Sequence, residues 1–304
     1  MHYYLKLPTF EVTSKAELED ELSNLRLAFQ WALKQSEREL LSEFWNGMKD
    51  FLMERGLWNI FVNWGKATLL TLPKDEIITR AWLLADLGWL AMEQSNYNEA
   101  RELFEQAHSS FNSIEYYAPN PHDHKMGLCA IERYLGVVHY RMGDYETASH
   151  YYSSALRLAK QFDFPGMVAE TYNLLGSLAR KLGDYSEARD YYHDAISIMR
   201  KTGKEWHIAA IMRNLARLDV QMGEFEKASA RLQEAIALCN KLGRKDMLYG
   251  CQLSLAETQF ELGNLDVAIQ LAKLAREGFA DLGMIADIER AQNLIDKIEP
   301  QFTV

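Results

Sequence analysis

Arginines at helical spacing are the residues in this chain best equipped to do chemistry. Arg133, Val137, Tyr140 and Arg141 form one set, and Asn173, Ser177, Arg180 and Lys181 a second. Arg213, Arg217 and Gln221, with Asn214 beside them, form a third. Steps of four and of seven or eight residues keep each set on one helical face. A guanidinium presents a planar fork of donors that meets a carboxylate or phosphate through two parallel hydrogen bonds, so five arginines and a lysine in this pattern suit an anionic ligand. Trp82, Trp89 and Met92 hold corresponding positions upstream, and Leu253, Glu257, Phe260 and Glu261 downstream. Tryptophan would add anchoring area. The competing reading is that the arginines pair with Glu132, Glu170, Asp219 and similar neighbours on adjacent helices, because charged faces are usually paired and solvated.

Other chemistries find less support. The chain has no GxSxG, HExxH or Gly-rich nucleotide loop. Gly65-Lys66-Ala67-Thr68 carries a trace of a phosphate loop, but Ile60 stands where that motif needs glycine and the segment falls within a helical pattern. His122 and His124 are near enough to share a metal, yet Pro121 adjoins them and no third His or Cys has ligand spacing, so solvated turn residues are expected. Tyr151-Tyr152 and Tyr191-Tyr192 read as packing residues. The expectation is a protein that is not an enzyme and uses no cofactor or metal.

Composition narrows the partners. A formal charge of -10 disfavours nucleic acid and anionic membranes, which need a basic surface. No apolar run reaches membrane-spanning length, and MHYYLKLPTF lacks the pattern of a signal peptide. Cys129, Cys239 and Cys251 are odd in number and without CxxC spacing, so they read as small core residues in a reducing compartment, with the cytoplasm as the expected location. With 48% hydrophobic and 25% charged residues, the 304-residue chain is expected to pack rather than stay disordered.

The elements that must position these residues are announced by a repeat. Gly143-Asp144-Tyr145 returns as Gly183-Asp184-Tyr185, Gly223-Glu224-Phe225 and Gly263-Asn264-Leu265. Ala148, Ala188, Ala228 and Ala268 keep the same beat, as do Ala155, Ala195, Ala235 and Ala275. A fixed period of this length is the mark of a solenoid built from stacked helix pairs. Helices are expected over about 15–34, 36–54, 58–70, 76–94 and 97–111, then 124–142, 145–161, 166–182, 185–201, 205–222, 225–241, 245–262, 265–281 and 285–298. Ser14-Lys15-Ala16-Glu17 and Ser36-Glu37-Arg38-Glu39 fit capping boxes. Two prolines in Tyr116–Asp123 predict an inserted loop. Gly203, Gly243 and Gly283 fit left-handed helix ends, and the last helix suits a cap with a solvated outer face.

Leu135-Gly136, Leu175-Gly176 and Leu215-Ala216, the turn aromatics, Tyr152 or Tyr192, and the paired alanines together resemble the tetratricopeptide repeat over about residues 75–298. That resemblance implies an all-α, right-handed α-α superhelix of about six helix pairs plus a C-terminal capping helix. It divides the chain into a degenerate helical segment, 1–74, and a regular array, 75–304, in one continuous solenoid. It also places the first helix of each pair on the concave face. The implied groove residues are Arg133, Tyr140, Arg141, Asn173, Arg180, Arg213, Asn214 and Arg217, with Trp82 and Trp89 as an aromatic shoulder.

Glu21–Leu33, with His2-Tyr3-Tyr4-Leu5 before it and Arg55-Gly56-Leu57-Trp58 after it, is similar to the segment joining nucleotide-binding module to repeat sensor in bacterial STAND signalling ATPases. That resemblance implies a regulatory module that recognises a protein or peptide partner, acidic in view of the arginines, or a small-molecule inducer. It also implies that the chain is the sensor portion alone, without the ATPase. The alternative is a free-standing peptide receptor or adaptor of the quorum-sensing type.

Overall fold

The computed structural model describes residues 21–54, 57–113, 121–203, 205–282 and 284–302. Among them are fourteen α-helices and no strand. In order these are α1 (Leu22–Gln35), α2 (Arg38–Glu54), α3 (Trp58–Thr71), α4 (Ile77–Glu93), α5 (Tyr97–Ser113), α6 (Pro121–Met142) and α7 (Tyr145–Gln161). There follow α8 (Pro165–Leu182), α9 (Tyr185–Thr202), α10 (Glu205–Gln221), α11 (Phe225–Leu242), α12 (Lys245–Glu261), α13 (Leu265–Asp281) and α14 (Ile285–Ile298), with a final 3-10 turn over Glu299–Phe302. The chain divides into two compact units, Met1–Gly143 and Asp144–Val304.

In the second unit the eight repeating alanines are all fully buried. Their lack of bulk lets helices approach, and large residues fill the space that remains. Tyr192 is fully buried, and a Cβ on Gly176 would lie 2.8 Å from its ring. The first helices α8, α10, α12 and α14 contact one another in series, and α9, α11 and α13 pack against them as a second layer. Gly183, Gly223 and Gly263 end first helices with φ of 94°, 74° and 77°, where a side chain would be strained. Gly203 and Gly243 cap α9 and α11 in the left-handed conformation, as expected. Ala291, Leu294, Ile295 and Ile298 seat α14 on the core, while Glu289, Asn293 and Asp296 face solvent.

The first unit relies on aromatic packing. Phe29 stacks on Trp64 with centroids 4.4 Å apart, and Trp45 meets Phe61 edge-on at 4.6 Å. In α4 and α5 the regular register returns: Ala100, Phe104, Ala107 and Phe111 are fully buried, with Phe104 lying over Gly88.

Two boundaries differ from the sequence reading. Ser36 does not open a helix; it closes α1 in the left-handed conformation, its N–H donating to the Ala32 and Leu33 carbonyls. The region 121–123, expected as loop, is the first turn of α6, since a proline at the first helical position loses an N–H that would be unpaired anyway. His124 is accordingly not a solvated turn residue: it is buried, and its Nε2 lies 2.6 Å from the Phe111 carbonyl oxygen. The expected features at residues 2–5, 14–20, 55–56, 116–120 and 283 lie outside the described residues.

Gly176→Ala should lower the free energy of unfolding by about 1–3 kcal/mol through overpacking against Tyr192. Gly183→Ala, strained but facing open space, should cost only about 1 kcal/mol. Urea denaturation of the two variants checks the order; an equal or smaller loss at Gly176 would show that the missing Cβ does not set the helix spacing.

Candidate functional site

Arg180, Arg213 and Arg217, three of the expected residues, lie on the first-helix layer of the second unit. Arg180 projects from α8 and Arg217 from α10, and both line a cavity of about 230 Å³ closed by Val220, Gln221, Glu257 and Glu261. Arg180 donates from Nη1 to Gln221 Oε1 at 3.1 Å, while its buried Nε has no partner. Arg213 sits one turn before Arg217, its guanidinium pressed against Gly250 of α12 and its buried Nε also without a partner. Asn214 donates to Asn173 Oδ1 at 2.9 Å, which joins α10 to α8 beside the arginines.

Electrostatically this is a crowded site. Burial of Arg217 lowers its pKa to about 10, and the neighbouring cations Arg213, Arg290 and Arg180 push in the same direction, with Glu257 opposing them. Burial and the neighbouring cations thus disfavour the charged guanidinium, more than Glu257 favours it. Two carboxylates line the cavity itself, Glu257 and Glu261, while the other candidate counter-ions are engaged elsewhere. Asp219, on the same helix, accepts from Arg231 Nε at 2.9 Å and pairs with Arg189 at 3.5 Å. Glu170 pairs with His207 at 3.4 Å. Among the described residues, Arg180, Arg213 and Arg217 form no ion pair.

Glu257 pairs with Arg290 of α14 at 3.4 Å. Both residues line a second cavity of about 300 Å³ with Phe260, Glu261 and Lys297. Sequence reasoning did not single out Arg290 as a site residue, because a last helix with a charged face looks like a solvated cap. Leu253 was expected on the inner stripe but is buried in the core formed with α13 and α14. Ser177 is likewise turned inward, within 3.1 Å of the Tyr192 hydroxyl.

The remaining expected residues belong to the first unit. Arg133 and Tyr140 are half-buried on α6 and Arg141 is exposed. Partial desolvation pushes the Glu93 carboxyl up, and Arg141 offsets part of that rise. Glu132, the remaining candidate counter-ion, pairs with His108 at 3.5 Å. Trp89 packs against the aromatic core, and Trp82 meets Phe111 edge-on while lining a cavity of about 300 Å³ between α2, α3 and α4. The two tryptophans thus serve packing in part.

Residues 127–201 and 167–241 match the tetratricopeptide repeat family model, and residues 80–110 match a second model of the same description. The two long matches are offset by 167 − 127 = 40 residues, the period of the turns. Similar solved structures include a signal transduction ATPase with numerous domains, bearing a tetratricopeptide repeat sensor, from Pyrococcus horikoshii. It is 17% identical with a TM-score of 0.60, and the match covers 94% of this chain but 43% of that one. The Rap conjugation gene regulator of the plasmid pLS20, in complex with the Phr* peptide, is 16% identical with a TM-score of 0.65, covering 91% and 80% of the two chains. BtubC from P. vanneervenii is 17% identical with a TM-score of 0.56, covering 76% and 91%. No curated protein matches in sequence. Identities this low speak to fold alone, and the fold they share is an all-α repeat solenoid.

Arg217 holds its proton less tightly in the folded chain than in the unfolded one, where the value is near 12.5. Its charge therefore costs stability below about pH 10, and the cost fades only as pH rises through that value. Arg217→Gln should raise the free energy of unfolding by on the order of 1 kcal/mol at pH 7. Thermal melts in dilute buffer check this; a lowered melting temperature would mean that Arg217 is a structural ion after all.

Proposed function

With tetratricopeptide repeats as its frame, we propose that this chain is a non-enzymatic binding module that holds an acidic peptide segment of a partner protein against the arginines of α8 and α10. The observation that carries the reading is the set of guanidiniums of Arg180, Arg213 and Arg217, half-buried on one layer without an ion pair while Glu170 and Asp219 are engaged by His207, Arg189 and Arg231. An incoming carboxylate would supply the missing counter-charge through a bidentate contact, and the low local water content would strengthen it. Asn173 and Asn214 add backbone-recognising amides alongside. In the first unit, Arg133, Tyr140 and Arg141 of α6 and Trp82 and Trp89 of α4 are in this reading contact residues in their own right. The module acts in the cytoplasm without a metal or cofactor, and it does not bind nucleic acid or membranes directly.

The biological setting we infer is the sensor of a signalling ATPase or transcriptional regulator. The likeness to the Pyrococcus horikoshii ATPase extends over nearly the whole of this chain, including the helices before the regular repeats, and this chain corresponds to less than half of that protein. A free-standing peptide receptor is the second reading, favoured by the fold likeness to a Rap regulator solved with a peptide.

Titration calorimetry with short Asp/Glu-rich peptides, against Lys-rich peptides of equal length, tests the binding site. The doubly reversed variant Arg213→Glu, Arg217→Glu should weaken acidic-peptide binding by about 100-fold or more while leaving the helical circular dichroism intact. Unchanged affinity in that variant, or no preference for acidic peptides in the native chain, would refute the reading.

A further inference from the structure

The cavity in the first unit is a built site of a different chemistry. It lies between α2, α3 and α4, far in sequence from the arginines of α8 and α10, and its lining is apolar in part and polar in part. Among the polar lining residues, the Lys49 ammonium and the Trp45 indole N–H both donate to Asp86 Oδ2 at 3.0 Å. These bonds tie α2 to α4 and fix the wall. Trp45 itself is buried, wedged over Gly65 and edge-on to Phe61, so the wall cannot readily collapse inward. Leu72, Leu83 and Trp82 supply the apolar surface.

Thr68 is the unexplained group. It lines the cavity and is 1% exposed, and its Oγ1 has no hydrogen-bond partner. A helical threonine ordinarily satisfies its hydroxyl on the carbonyl four residues earlier. Thr71, Thr171 and Thr258 all do so here, at 2.8, 2.7 and 2.9 Å. Thr68 leaves that bond unmade, and a buried hydroxyl without a partner is costly. Such a group beside an open cavity is placed to meet a polar atom of something that enters.

We propose that this cavity binds a small aromatic molecule without net charge, of amino-acid size, with Thr68 hydrogen-bonding its polar group and Trp82 covering its ring. The absence of net charge follows from the lining, whose charged residues Lys49 and Asp86 neutralise one another. A zwitterion would present an ammonium to Asp86 and a carboxylate to Lys49. The volume of about 300 Å³ falls at the small end of ligand sites, which excludes a folded peptide. The inference stands apart from the acidic-peptide reading, since it uses none of the arginines.

Calorimetric titration of the full chain with L-tyrosine, L-tryptophan and indole, and with L-glutamate and L-arginine as charged controls, tests it. At least one neutral aromatic should bind saturably and the charged amino acids should not. Thr68→Val, which keeps the shape and removes the hydroxyl, should leave the fold as stable as before and weaken binding by about 10-fold. Thr79→Trp, which fills the cavity from α4, should abolish it. No saturable binding by any of the three aromatics, tighter binding by the charged controls, or binding that survives Thr79→Trp would overturn the proposal. A Thr68→Val variant that is less stable yet binds normally would assign Thr68 to the fold instead.

Discussion

Everything in the second unit depends on side chains that stop at Cβ or before it. Eight alanines and one glycine, all without exposure or nearly so, set how near each helix lies to the next. The large residues take their positions from that spacing: Tyr192 reaches full burial because Gly176 leaves room beneath its ring. Close packing of this kind tolerates little change in volume, which is why the pattern returns every forty residues with so little drift. The polar residues of the first helices are under no such constraint, and there the units differ from one another.

That division explains which parts of the structure were legible beforehand. Helix pairs α7 to α13 were readable to within a residue or two, because a small residue at a crossing and a glycine at a left-handed turn each have one physical cause. The errors fell where a residue type has several. Ser36 can cap either end of a helix; the left-handed backbone decided for the end of α1. Pro121 can break a helix or begin one, and it begins α6. Leu253 shares a helical face with polar neighbours, yet the approach of α13 and α14 takes it into the core.

The candidate site was legible in part for the same reason. The spacing of Arg213 and Arg217 marked a common face, but not the partners of the carboxylates around them. Asp219 is two residues from Arg217 and on the other side of α10, where Arg189 and Arg231 reach it from the neighbouring layer. Arg290 could not be connected to Arg217 from the sequence, because their proximity depends on α12 lying between their helices. The cavity around Thr68 gave no sign at all: its walls come from a stretch where the repeat has decayed, and an unmade hydrogen bond leaves no trace in residue order.

Asp219 also has a mechanical meaning. Held by one arginine from α9 and one from α11, a single buried carboxylate fixes the rotational setting of α10 about its own axis. The same rotation aims Arg213 and Arg217, on the opposite face, like spokes of one wheel. Arg189 and Arg231, on the second-helix layer, therefore govern the angle at which the guanidiniums of α10 project. A change in that outer layer therefore reaches both arginines through the turn of one helix, leaving their own side chains in place.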